Sequence, residues 1–404
     1  MPIAGAPAEG SAASGPSDRP VVLTACLGAL GLLAVLAWRA PADRLLLFIL
    51  GMGLGMSLCH AGFGFSGGWR RCVLERRTLG LRAQLLVLAL TSIAFVPLLT
   101  WHGGLAGAVA PVGVALVVGA FLFGVGMALA GGCGSGTLFL TGAGKPRMFI
   151  VLVAFIVGSV IGSLHLPWWL QTPGLPAISL AREFGSQPAL ALQLAVLAGL
   201  GAALSALERR RHGEAHALFG VGPSRPRLTA AVTGPWPLLW GAVALAGLGA
   251  AVLWVAGAPW GITFGFSLWG AEALTALGVD MTQFEYWRWA YPRQGLAQGV
   301  WVNATSVTDL GLLLGAFLAA GLGGQFRANA AQRPGLAASA SAIAAGLAMG
   351  YGARLAFGCN IGAMLGGIAS ASLHGWIWFA MAFLGFWVTL WVRRTLLAAS
   401  AGMG

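Results

Sequence analysis

The amino-acid sequence predicts an all-α, polytopic membrane helical bundle, and three observations carry that prediction. Of 404 residues, 58% are hydrophobic and 8% are charged, against about 25% charged in an ordinary soluble domain. Apolar runs near the roughly 20 residues that span a bilayer's hydrocarbon recur along the whole chain rather than forming one anchor. The 63 glycines would weaken a soluble helical protein, but in lipid they suit close helix crossings and deliberate helix breaks. The net charge of +12 would suggest nucleic acid as a partner of a soluble chain. Here the arginines stand in short clusters beside apolar runs, a pattern of cytoplasmic-side placement, so nucleic acid is excluded.

Taken in order, residues 1–20 are rich in Pro, Ala, Gly and Ser without periodicity and are expected to be a disordered leader. Residues 21–44 hold an extra N-terminal transmembrane helix, Val21 to Trp38, and its connector. Ala40-Pro41-Ala42 faintly resembles a signal-peptidase site, but the apolar run is longer than a usual signal core, which favours a retained helix. Residues 45–208 form a first half, 209–234 a cytoplasmic linker, 235–394 a second half and 395–404 a C-terminal tail. Apolar segments lie at 45–67, 83–100, 109–130, 148–164, 189–207, 235–256, 306–323, 336–357 and 375–392.

Arginine placement orients these segments. If the clusters Arg70, Arg71, Arg76, Arg77 and Arg82, Arg209 to Arg211, and Arg393 with Arg394 are cytoplasmic, then Lys145, Arg147, Arg327 and Arg333 share their side. That agreement requires 259–278 to enter and leave by one face, as a re-entrant half-helix does. The expectation is nine or ten full spans with short intramembrane half-helices, in a bacterial inner membrane with the C-terminus cytoplasmic. The connectors 165–188 and 279–300 hold Trp168, Trp169, Trp287, Trp289 and Tyr291, which suit an aromatic belt at the periplasmic interface.

The most informative feature is internal. Residues 124–136 and 350–362 match without a gap at Gly124/Gly350, Gly126/Gly352, Leu129/Leu355, Ala130/Ala356, Gly132/Gly358, Cys133/Cys359 and Gly136/Gly362. On the arginine-derived topology the two copies run in opposite directions, as in an inverted, pseudo-twofold repeat, which places a transport site near the midplane at broken helices. Each copy ends an apolar helix in a Gly-Cys-x-x-Gly break. The residues Gly132, Cys133, Gly134, Gly136, Gly358, Cys359, Asn360 and Gly362 then present a thiol and freed backbone N–H groups to an anion.

A thiol is a weak donor and a soft acceptor, so a pair of them suits the terminal sulfur of thiosulfate better than the hard oxygens of sulfate. The competing reading is that both cysteines are small packing residues at helix crossings. None of the five cysteines, Cys26, Cys59, Cys72, Cys133 and Cys359, forms a C-x-x-C pair or stands at zinc-ligand spacing to a histidine, so neither a metal nor a cofactor is expected. Arg354 and Glu272 are the clearest buried charges. Arg354 either neutralises a permeating dianion or pairs with Glu272 or a carbonyl. His60 reads as a satisfied polar residue, and Asp309 as a cap or interfacial residue near a helix start.

The stretch Met349-Gly-Tyr-Gly-Ala-Arg-Leu-Ala-Phe-Gly-Cys-Asn-Ile-Gly362, continuing through Ser372-Leu-His-Gly-Trp376, resembles the YeeE/YedE family of sulfur transporters. Gly132-Cys-Gly-Ser-Gly-Thr-Leu138 and Gly261-Ile-Thr-Phe-Gly-Phe-Ser-Leu-Trp-Gly-Ala271 are similar to its other recurring segments, and the likeness covers about 45–394. The resemblance implies thiosulfate uptake by transient contacts with cysteine thiols, Cys133 and Cys359 standing at two of the family's cysteine positions. The third family cysteine follows a phenylalanine, and here Phe63 is followed by Gly64. Either Cys59 or Cys72 substitutes, or two thiols suffice, or the substrate differs, since some members are associated with selenium. The resemblance implies a transporter rather than an enzyme. The alternative is a membrane sulfurtransferase carrying persulfide on Cys133 or Cys359 and delivering it to a cytoplasmic sulfur carrier.

Overall fold

The computed structural model describes residues 16–218 and 226–401. It is an all-α bundle; among the described residues the strands are the two-residue antiparallel pair Val112–Gly113 and Gly174–Leu175. The helices are α1 (Arg19–Arg39), α2 (Ala42–Ala61), α3 (Phe65–Glu75), α4 (Leu79–Trp101), α5 (Val114–Ala130), α6 (Gly134–Gly142), α7 (Pro146–Trp169), α8 (Leu180–Phe184), α9 (Ser186–His212) and α10 (Arg227–Thr233). They continue as α11 (Leu238–Ala256), α12 (Thr263–Ala276), α13 (Glu285–Arg288), α14 (Ala290–Gln298), α15 (Ala304–Leu322), α16 (Phe326–Ala330) and α17 (Leu336–Leu355). A π-helical turn, Asn360–Leu365, leads into α18 (Gly366–Ala369), and α19 (Leu373–Ala401) closes the chain. Ten candidate membrane spans result among the described residues, the pairs α2/α3 and α5/α6 each counting as one, as does α17 with its π turn and α18.

Four long helices, α2, α5, α11 and α17, stop short and hand over to a short second helix. The first three stop at a left-handed glycine, Gly62, Gly131 and Gly257, the residue that adopts this conformation without a Cβ penalty. The fourth break is more contorted, with Phe357 at φ 60° and Gly358 at φ 150°.

Glycines also set how closely the long helices cross. A Cβ on Gly55 of α2 would stand 2.0 Å from the Leu312 carbonyl oxygen of α15, and one on Gly315 would stand 2.1 Å from that of Met52. The same holds between α7 and α17, where Gly350 faces the Phe155 oxygen at 2.2 Å, and between α5 and α19, where Gly124 faces the Ala382 oxygen at 2.0 Å. No side chain fits at these distances, so backbone meets backbone, as in membrane bundles whose cohesion is van der Waals packing. Along the α5/α17 contact, Gly119 meets Gly352 and Leu355 whereas Gly126 meets Ala345 and Met349. The helices before the two Gly-Cys breaks therefore run antiparallel.

α12 has 14 residues, about 21 Å of helix against about 30 Å of hydrocarbon. Ala256 at the end of α11 and Ala304 at the start of α15 line one cleft with Trp260 and Gly261, so the segment between them leaves and re-enters at one face, as expected for 259–278. The connectors differ from expectation at Trp287. Instead of joining an interfacial belt it is fully buried, its indole N–H donating to Ser163 Oγ at 3.2 Å. Trp168 does stand exposed.

At the arginine-rich end, Glu208 of α9 is fully buried and ties down the turn between α3 and α4. It accepts from Thr78 Oγ1 at 2.7 Å, Thr78 N at 3.2 Å and Arg82 Nη2 at 3.0 Å, and pairs with His216 at 2.9 Å. Residues 1–15 of the expected leader lie outside the described residues. Asp18 is already held, its N–H donating to the Gly321 carbonyl and its carboxylate pairing with Arg327 at 2.7 Å. Residues 219–225 of the linker likewise lie outside the described residues, and α19 continues through the expected tail to Ala401.

Removing one member of a buried, hydrogen-bonded charge cluster costs about 3–5 kcal/mol. Glu208→Ala is therefore expected to lower the thermal unfolding midpoint of the detergent-purified protein clearly, and an unchanged midpoint would show that the cluster does not anchor the α3/α4 turn.

Candidate functional site

The four helix breaks converge. The N-terminus of α3 meets the first Gly-Cys break, where the Phe65 backbone N–H faces the Cys133 thiol. The first Gly-Cys break meets the second, since a Cβ on Gly134 would lie 2.9 Å from Cys359 Sγ. The second meets the turn before α12, since a Cβ on Gly362 would lie 3.9 Å from Gly261 Cα. Cys133 and Cys359 are both buried in the common core, 1% and 0% exposed, and all five cysteines are free thiols.

Each thiol sits at the start of a helical turn. Cys133 caps α6, its sulfur accepting from the Gly136 N–H at 3.3 Å and lying 3.4 Å from Ser135 Oγ. Cys359 precedes the π turn, facing the N–H groups of Ile361 and Gly362. Its carbonyl accepts from both Ala363 N at 2.9 Å and Met364 N at 3.3 Å, so the ladder widens there from the α to the π spacing. π turns of this kind recur at functional sites. The first turns of α3 and α6 direct the Phe65 and Gly136 N–H groups at the Cys133 sulfur, a helix-start polarity that favours negative charge.

Aromatic rings wall the thiols. Phe155 packs against Phe266 with centroids 4.9 Å apart and against Phe123 at 6.1 Å, and Phe123 stacks on Trp378 at 5.2 Å. The Trp378 indole N–H donates to the Gly358 carbonyl at 3.2 Å, satisfying a backbone group exposed by the second break. A cleft of about 230 Å³ leads from the face where α12 enters, with Trp260, Gly261, Thr305 and Thr308 in its wall and Arg44 at its rim. Several buried polar atoms here have no hydrogen-bond partner among the described residues: Trp260 Nε1, Arg354 Nε, both amide atoms of Asn360 and both carboxylate oxygens of Asp309.

The sequence-predicted residues divide as follows. Cys133, Cys359, Gly132, Gly134, Gly136, Gly358, Asn360 and Gly362 all belong to the two touching breaks. Gly64, at the departing third-cysteine position, is the cap of α3 beside Phe65, and so stands next to Cys133. Cys59 lies before that break on α2, whereas Cys72, seven residues beyond Phe65 on α3, lines an apolar groove with Trp376 and Phe379. Arg354 is not paired with Glu272. Its Nη1 donates to Tyr286 Oη at 2.7 Å and its Nη2 to Thr263 Oγ1 at 3.5 Å, the guanidinium lying over the Tyr286 ring. Glu272 sits near Gly299 on the far part of α12. Among the described residues no cluster of three or more His, Cys, Asp or Glu is placed to hold a metal ion.

Asp309 departs from what its sequence position suggests. Asp309 is neither a cap nor interfacial: Asn303 caps α15, and Asp309 is fully buried. The segments 60–68 and 261–272, whose glycines give a weak likeness of two further broken helices, share Phe-Gly-Phe-Ser at 63–66 and 264–267, at the starts of α3 and α12.

Comparison with known proteins identifies the family. The sequence profile of a family described as "Sulphur transport" matches residues 60–388, a span that contains all four breaks. The chain is 28% identical to the thiosulfate transporter TsuA of Escherichia coli (strain K12), over 87% of this chain and 97% of that protein. It is 27% identical to the thiosulfate transporter TsuA of Spirochaeta thermophila, over 85% and 97%. It is also 29% identical to the probable transporter YedE of Salmonella typhimurium, over 33% of this chain and 32% of that protein.

The contact between Gly134 and Cys359 leaves no room for a methyl group, and overpacking of this kind costs about 1–3 kcal/mol. Gly134→Ala is expected to insert normally but to cut anion uptake by vesicles several-fold, because the added carbon displaces the Cys359 thiol. Uptake equal to the unmodified protein's would mean that the close approach of the two breaks has no part in the activity.

Proposed function

The chain belongs to the sulphur-transport family, and on that premise we propose that it carries thiosulfate across a bacterial inner membrane by transient contact with the thiols of Cys133 and Cys359. Membership places it among transporters rather than enzymes. The observation that carries the reading is the meeting of the two Gly-Cys breaks, which puts both thiols in one buried place.

Thiosulfate has a hard, charged sulfonate end and a soft terminal sulfur. The sulfonate is drawn by unpaired donors, Trp260 Nε1, Arg354 Nε and the Asn360 amide, and by the first-turn N–H groups of the short helices. The terminal sulfur meets thiols, which accept and donate weakly and are polarisable. Weak contacts at successive sites let an anion enter without trapping it. In this reading the halves 45–208 and 235–394 are inverted repeats about an axis through the touching breaks, which the antiparallel run of α5 and α17 supports. The arginine-rich end that holds Glu208, Arg147 and Arg327 faces the cytoplasm, with the C-terminus on that side, and the cleft opens to the periplasm. Two thiols suffice in this reading, Gly64 standing where a third would be.

Replacing either Cys133 or Cys359 with alanine is expected to reduce uptake of radiolabelled thiosulfate by vesicles at least tenfold, with unchanged amounts of protein in the membrane; unimpaired uptake in both variants would reject the thiol path. Sulfate, which lacks the soft sulfur, is expected to compete poorly. The intact mass after thiosulfate exposure separates the sulfurtransferase alternative: a stable added sulfur on either thiol would support a carrier that hands persulfide to a cytoplasmic partner.

A further inference from the structure

Asp309 and Gln84 hold equivalent places and are treated differently by their surroundings. Each is the sixth residue of the long helix that follows a short one, Gln84 on α4 after α3 and Asp309 on α15 after α12. Each faces a glycine of that short helix. A Cβ on Gly68 would lie 2.8 Å from Gln84 Nε2, and one on Gly265 would lie 2.3 Å from Asp309 Oδ2. Gln84 is fully employed in packing: its amide oxygen accepts from the Trp69 indole at 2.8 Å and its nitrogen donates to the Phe65 carbonyl at 3.1 Å. In the second half the indole of Trp269, which follows Phe266 by three residues where Trp69 follows Phe65 by four, donates to Ser306 Oγ at 2.7 Å instead. Asp309 is left fully buried with no partner on either oxygen.

A carboxylate kept in that state is costly in hydrocarbon, and a neutral amide in the equivalent position shows that packing alone does not need the acid. Its setting supplies a route for a proton. Thr305, one turn earlier on the same helix face, lines the cleft, as do Asn303 and Thr308. The titratable and charged groups on the packed elements are few. Tyr291 of α14 and Cys359 are near enough to interact with Asp309. Arg354 is committed to Tyr286 and Thr263, and Arg44 of α2 donates to the Val302 carbonyl at the rim. On α12 the one titratable residue is Glu272, near Gly299. Asp43, Cys59 and His60 stand toward the ends of α2, and α1 carries Arg19, Arg39 and Cys26; α6 has no titratable side chain.

Building on the thiosulfate reading, we propose that Asp309 is a proton site that couples proton movement to anion movement. The carboxylate takes up one proton from the cleft, becoming a neutral acid with no other bond made or broken. As an acid it donates to the anion instead of repelling it; on the opposite side it returns the proton and the anion leaves. A dianion entering an inside-negative compartment is opposed by the potential, and an accompanying proton offsets part of that opposition.

The test uses the full chain in vesicles with the membrane potential clamped. A pH gradient, alkaline inside, is expected to raise the initial rate of thiosulfate uptake at least fivefold, and thiosulfate entry without a gradient is expected to acidify the lumen, read by a trapped dye. Asp309→Asn is expected to lose both the stimulation and the lumen acidification, whatever exchange of labelled for unlabelled thiosulfate it retains. Exchange without stimulation or acidification in the wild-type protein would overturn the proton site and leave the thiosulfate reading standing, as would stimulation by a sodium gradient instead. Absence of exchange in the wild-type protein would reject the thiosulfate reading itself. Should the Asn variant not insert, lumen acidification in the wild-type protein still decides the matter.

Discussion

A broken helix inside a membrane exposes backbone N–H and C=O groups that lipid cannot satisfy, and each such group left bare costs several kcal/mol. The fold is organised around that constraint. The two Gly-Cys breaks are tolerable because they touch one another and are walled by Phe123, Phe155, Phe266 and Trp378. The wall also does specific work, as in the bond from the Trp378 indole to the Gly358 carbonyl. Burying the breaks requires the long helices to close tightly around them. The crossings of α2 with α15, α7 with α17 and α5 with α19 therefore run backbone to backbone through glycine.

The same constraint produces the chemistry. Once a break is buried in protein, its orphan N–H groups become a fixed field of positive polarity, needing no side-chain charge at the centre. Arg354 is tethered to Tyr286 and Thr263, which fixes its guanidinium near the start of α12. Thiols complete the arrangement because they add a soft surface without adding charge. A lysine in their place would hold an anion, whereas a serine would favour a hard oxyanion over one with terminal sulfur.

Much of this was legible in the sequence, and the parts that were not share a cause. Ten apolar runs, the re-entrant character of 259–278 and the pairing of Cys133 with Cys359 follow from hydropathy, arginine placement and a gapless repeat, all of which are local patterns. The surroundings of Arg354, the burial of Trp287 and the outward face of Cys72 depend on which residue distant in sequence lies opposite, and no local pattern encodes that. Asp309 shows the limit most clearly. Its closeness to the start of α15 suggested a capping role, but Asn303 already fills the cap, and the aspartate faces a helix 44 residues earlier, Gly265 of α12. The Phe-Gly-Phe-Ser match was local and could have been read; it is short, and its two copies sit at different registers, Gly64 capping α3 while Gly265 lies inside α12.

That offset in register bears on how the corners around α3 and α12 differ. In the first half, α3 begins at Phe65 and the indole of Trp69 closes on Gln84, leaving a satisfied, rigid corner. In the second half, α12 begins three residues earlier in the matched motif, at Thr263, and Gly265 lies against Asp309. Thr263 also becomes available to Arg354. Arg354, the unpartnered Asp309, the π turn and the cleft thus gather around α12, α15 and α17, whereas the corner of α3 and α4 is closed by Trp69 and Gln84.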